Sequence, residues 1–91
     1  MRAFRGDRLK LDLERLREAI GHLERADWRA AHQIVQQDEE SPLACWAHGI
    51  VHLMEGDAPN ARYWYREARR PFPESVSVAG EIAALKSMAT G

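Results

Sequence analysis

The sequence predicts an all-α fold: one domain of five helices, arranged as two helical hairpins and a C-terminal capping helix. Three observations carry that expectation. Apolar residues recur at spacings of three and four, as in Leu9, Leu13, Leu16, Ile20 and Leu23, which lines them along one face of a helix. No segment alternates polar and apolar residues for long enough to read as a strand. Turn and cap residues punctuate the periodic segments at Asp27, Ser41-Pro42, Gly56-Asp57 and Pro71-Phe72-Pro73.

The expected elements follow in order. Residues 1–6 are expected to be disordered. A first helix runs from Asp7 to Arg25 on its leucine stripe, with Arg8–Asp12 and Glu14–Arg17 spaced to pair along its surface. Asp27 caps a second helix that ends near Asp38, with Trp28, Ala31 and Val35 facing the first. These two form the hairpin of residues 7–38. Ser41-Pro42 opens a third helix reaching Glu55, because proline is accommodated at the first helical position. Gly56-Asp57 turns the chain into a fourth helix, which carries Ala61, Trp64, Tyr65 and Ala68 on one side and completes the hairpin of residues 42–70. The last helix, residues 75–88, presents Val78, Ile82 and Leu85 and closes the end of the stack.

The positions Gly49, Gly56, Asp57, Ala61, Tyr65, Ala68 and Pro73 resemble the tetratricopeptide (TPR) signature. Gly49 and Ala61 are small where two helices approach closely, and Pro73 prevents further helix. A weak internal repeat relates Ala19 to Gly49, Ala26-Asp27 to Gly56-Asp57, Ala31 to Ala61 and Val35 to Tyr65, at an offset of thirty residues. The resemblance implies a short stack whose concave side binds a protein or peptide. In its register Leu43, Trp46, Ile50, Leu53 and Met54 line that groove, unless the stack is so short that they are core. Self-association is a further way to cover it.

Composition excludes several classes. With 45% apolar residues in 91, the chain can build one core. No apolar run is long enough for a membrane span, and no apolar stretch follows the charged N-terminal residues as a secretory signal requires. The single cysteine, Cys45, excludes an internal disulfide and fits a reducing compartment, so a cytoplasmic location is expected. A net charge of −1 argues against nucleic acid as the partner. Arg62, Arg66 and Arg69 share a narrow helix face, which reads first as a solvated surface and second as a docking patch for an acidic peptide or phosphate.

The third helix carries the unusual chemistry. With His48 at zero, Cys45 lies at about 60°, His52 at about 40° and Glu55 at about −20° around the helix axis. These four share a face, opposite Trp46, Ile50 and Leu53. Three readings compete. The imidazoles form a buried polar network, with Glu55 or Asn60 as partners. Alternatively they line a pocket walled by Trp64 and Tyr65. In the third reading His48, His52 and Glu55, completed by His32 or Asp57, hold zinc, although the spacing matches no established zinc signature. No catalytic motif is present, and a lone cysteine in a helix reads as a packed small hydrophobe rather than a nucleophile.

The segment from Trp46 to Tyr65, with His48, His52, Glu55, Gly56, Asp57, Asn60, Ala61, Tyr63 and Trp64, also resembles a family of small bacterial and fungal proteins. Their shared pattern is similar to W-x-H-A-x-x-H-R-x-E-G-D-x-x-N-A-x-Y-W-Y. Gly49 replaces the usual alanine and Leu53 the usual arginine, so no anion-binding role carries over to position 53. The resemblance implies that the histidine stripe matters and implies no activity. The expectation is therefore a non-enzymatic interaction module with no cofactor; the alternative is a ligand- or metal-binding protein, or an enzyme, built on His48, His52 and Glu55, with zinc as its metal. Its candidate binding residues are His48, His52, Glu55, Asn60, Trp64, Trp46 and Leu53.

Overall fold

A computed structural model describes residues 11–75 and 77–90. The described residues form an all-α fold of five helices: α1 (Leu13–Glu24), α2 (Trp28–Val35), α3 (Pro42–Glu55), α4 (Ala58–Glu67) and α5 (Val78–Thr90). Helix α1 packs on α2 and α3 on α4, each pair joined by a tight turn, while α2 also packs on α3. Helix α5 returns to lie against both α1 and α3.

Capping fixes where the helices begin. The Asp12 side chain accepts from the Arg15 N–H at 2.8 Å, and its extended backbone starts α1 at Leu13 rather than Asp7. A side-chain acceptor meets an N–H that the first turn leaves unpaired, and here that local bond ends the helix before the leucine pattern does. Leu9, the Arg8–Asp12 pair and the disorder expected for residues 1–6 lie outside the described residues. On the surface of α1, Arg15 pairs with Glu18 at 2.6 Å and Glu24 pairs with Lys86 of α5 at 2.9 Å. Leu13 projects outward, whereas Leu16, Ile20 and Leu23 are buried.

Helix α2 stops at Val35, short of the expected Asp38. Asp38 is fully buried and accepts from the N–H groups of Leu11, Glu40 and Ser41 at 2.9, 3.0 and 2.9 Å. Burial alone would raise its pKa. The Ser41 N–H and hydroxyl, with the N–H groups of Leu11 and Glu40, outweigh that effect and hold the carboxyl below its ordinary range. Ser41 thus gives its hydroxyl to Asp38 and makes no cap bond to α3.

The turns after α1 and α3 share one geometry. Ala26 (φ 63°) and Gly56 (φ 89°) both occupy the left-handed region. The next residue, Asp27 or Asp57, accepts from the N–H three residues on, at 3.2 Å in each case. The Asp27 N–H reaches the His22 carbonyl at 2.8 Å, and the Asp57 N–H reaches that of His52 at 2.9 Å. Glycine meets the left-handed requirement without strain, whereas alanine does not. Helix α4 ends at Glu67, with Arg69 (φ 62°) turning the chain.

Close approach of α3 to α4 depends on Gly49. A Cβ there would lie 2.5 Å from Tyr65 Cδ1 and 2.8 Å from Cε1. Tyr65 is buried, with Phe72 edge-on to its ring. Its hydroxyl donates to Glu81 Oε1, which also accepts from Trp46 Nε1 at 3.0 Å. The Arg70 guanidinium lies 3.6 Å from the Trp46 ring centroid. One carboxylate on α5 therefore ties down a residue from α3 and another from α4. Trp46, 0% exposed, and Ile50 consequently lie in the core, and the centre of the expected groove is filled. Leu43, Leu53 and Met54 are half-buried against the same core.

Candidate functional site

Helices α2 and α3 bring three histidines together. The Asp27 cap sets the register of α2 and carries His32 to the α3 side. On α3, His48 and His52 are one turn apart and both inward, 3% and 9% exposed. Ring centroids of His32 and His48 are 4.9 Å apart, those of His32 and His52 5.5 Å, and those of His48 and His52 5.2 Å. One ring nitrogen from each of the three falls within 4.8 Å of the others. The cluster has one more accessible member, since His32 is only half-buried.

Each imidazole is held differently. Trp64 of α4 stacks on His48 at 3.9 Å with the rings 8° from parallel. Tyr63, 46% exposed, stands edge-on to Trp64 at 4.9 Å. His52 Nδ1 lies 2.8 Å from Glu55 Oε1. A carboxylate only accepts, so Nδ1 carries the proton and, in the neutral ring, Nε2 keeps its lone pair. His48 Nδ1 is buried and has no hydrogen-bond partner among the described residues. Burial, followed by the neighbouring His32 and His52, pushes the His48 pKa down to about 3. Burial and then His52 lower that of His32, against an opposing pull from Glu55.

The structure separates the other candidates from this cluster. Asn60 is exposed, and its amide donates to Asp57 Oδ2 at 3.0 Å, not to a histidine. The nearer carboxylate takes the side chain first, as local side-chain bonds at a helix start commonly do. Tyr65 is core rather than a pocket wall, and Trp46 and Leu53 sit on the far side of α3, in or against the core. Trp64 alone of the proposed walls touches an imidazole. Cys45 is a buried residue of α3, where burial and then Asp38, Glu67 and Glu39 raise its thiol to about 11. It is a packed side chain and not an activated nucleophile. Arg66 and Arg69 share a surface cleft with Glu39, Glu40 and Glu67, so the basic stripe meets its own acidic neighbours.

Sequence reasoning placed His48, His52 and Glu55 on one face and named His32 as an outlying partner. It missed the role of Asp38 and of Glu81. The Asp38-to-Ser41 spacing is the available signal for the first, since aspartate followed three residues later by serine suits a side-chain-to-backbone turn. Glu81 had none, because its partners lie 35 and 16 residues away. No protein family, curated protein or solved structure gives a significant match to this chain.

Proposed function

We propose that this chain is a small non-enzymatic binding module of TPR-like design, acting in the cytoplasm, whose binding site is the imidazole cluster between α2 and α3. One observation carries the reading: His48 Nδ1 is buried without a hydrogen-bond partner among the described residues, inside a group of three imidazoles. Leaving such an atom unmet costs about 1–3 kcal/mol, a large share of the stability of a domain this small. A ligand that engages the cluster recovers that cost. Cys45 is buried with a raised thiol pKa, so it does not offer an activated nucleophile to a bound ligand.

A protein or peptide partner is the class that a TPR-like pair of turn-linked helices suggests. Tyr63 supports it, being an exposed aromatic one ring removed from His48 through Trp64. The test is native mass spectrometry of the chain purified without chelator, beside a folded His48→Phe/His52→Phe variant. The wild type is expected to carry bound mass that the variant lacks. The same bound mass on both proteins, or none on either, would overturn the reading.

A further inference from the structure

We propose that His32, His48 and His52 form a binding site for a divalent transition-metal ion of the zinc class, with Glu55 as the positioning residue of His52. The inference rests on the reading of the cluster as a binding site and assigns that site its ligand.

The donor set has the right chemistry. Imidazole nitrogen suits zinc, copper, nickel and iron, while calcium and magnesium take oxygen. Two of the rings come from one helix at a spacing of four, and the third comes from its neighbour. Their ring nitrogens lie within 4.8 Å of one another. Zinc–nitrogen bonds of about 2.0–2.1 Å in a tetrahedron place ligand atoms about 3.3 Å apart, so ring movements on the order of an ångström close the site. His32 is half-buried and, among the described residues, its ring meets only the other two imidazoles, which leaves room for that movement. His48 is held from behind by Trp64.

Two further observations point to a ligand. The His48 Nδ1 is a buried ring nitrogen that no described residue satisfies. Glu55 accepts from His52 Nδ1 and so directs the Nε2 lone pair away from itself, the carboxylate–histidine arrangement that supports metal-ligating imidazoles elsewhere. His52, Glu55 and Asp57 also lie close together, but Asp57 is already engaged by the Asn60 backbone and amide. A metal there would also break the His52–Glu55 bond. Three protein nitrogens leave one position of a tetrahedron for water or for a group from a partner.

The test uses the full chain stripped with a chelator and titrated with Co(II), followed by visible absorption, then with Zn(II) in competition and with Ca(II) separately. The expected result is one Co(II) per chain with the intense bands of a four-coordinate site, displaced by Zn(II), and no response to Ca(II). His32→Ala should abolish the spectrum. Glu55→Gln should weaken binding roughly 10–100-fold while leaving the thermal midpoint of the stripped protein unchanged, which a merely structural Glu55 would not do. His22→Ala should bind as the wild type does. Absence of saturable Co(II) binding, or a His32→Ala variant that binds as tightly as wild type, overturns the site. If bound mass is nevertheless lost on replacing His48 and His52, the metal is wrong and the binding module stands. If neither is seen, both fall.

Discussion

Acid should destabilise this protein through His48, and the size of the effect follows from its surroundings. The unfolded chain protonates that imidazole near pH 6.5, whereas the folded one resists to about pH 3 because burial and then His32 and His52 disfavour the cation. Between those values the unfolded state holds a proton that the native state excludes. Unfolding therefore becomes easier as pH falls, and the penalty is absent above about pH 6.5. Each pH unit in that window is worth about 1.4 kcal/mol, so moving from pH 7 to pH 5 removes about 2 kcal/mol. The groups facing His48 are His32 from α2, His52 and, beyond it, Glu55 from α3, and the neutral Trp64 from α4. His32 is shifted in the same direction and adds to the loss. His48→Phe keeps a ring against Trp64 and removes the titration. Urea denaturation in chelator-containing buffers from pH 5 to pH 8 reads the difference between the two proteins. That difference should change by about 2 kcal/mol in favour of the variant on going from pH 7 to pH 5. Parallel profiles would place His48 in water and refute the argument.

Two backbone substitutions test the packing and the turns. Gly49→Ala sets a Cβ 2.5 Å from a Tyr65 ring that Glu81 and Phe72 hold in place; overpacking of about 1–3 kcal/mol should exceed the gain of about 1 kcal/mol in helix propensity. Thermal melting should show a lower midpoint, and an unchanged one would mean that the Tyr65 ring can yield. Ala26→Gly should instead stabilise the protein by up to about 1 kcal/mol, since it relieves a left-handed alanine at φ 63°. A lowered urea midpoint in that variant would refute the turn geometry.

The presence and type of the helices were legible because periodic apolar residues and turn residues agree along the whole described chain. The ends were less so. The start of α1 depends on whether Asp12 caps or continues a helix, and the leucine spacing favours continuation, while the side chain's own bond to Arg15 decides for the cap. The register of Trp46 on α3 fits a groove and a core position equally. Its burial depends on α5, whose Glu81 contacts it across 35 residues of chain. Long-range closure of this kind leaves no local pattern. Within the site, His48, His52 and Glu55 were readable from angle alone, since they share one helix. The distance of His32 from them depends on how α2 packs against α3, which periodicity does not encode.

The two turn-linked pairs explain why the site occurs once. At the offset of thirty residues, His22 stands where His52 does, and the carbonyls of both accept from the following capping aspartate. The backbone scaffold is therefore present twice. The side chains around it are opposite in sign. His22 Nδ1 lies 3.2 Å from Arg25 Nη2, at the position that Glu55 occupies in the second pair. A guanidinium only donates, so that nitrogen of His22 must accept, whereas Glu55 makes the same nitrogen of His52 a donor. Glu18 stands where His48 does, so the first pair lacks the second imidazole as well. One backbone design thus holds a histidine in opposite tautomers, set by a single charged neighbour three residues on. Only the pair with the carboxylate sets its histidine beside two further imidazoles. An Arg25→Glu substitution, which gives His22 a carboxylate neighbour, still creates no second site, because the partner rings are missing.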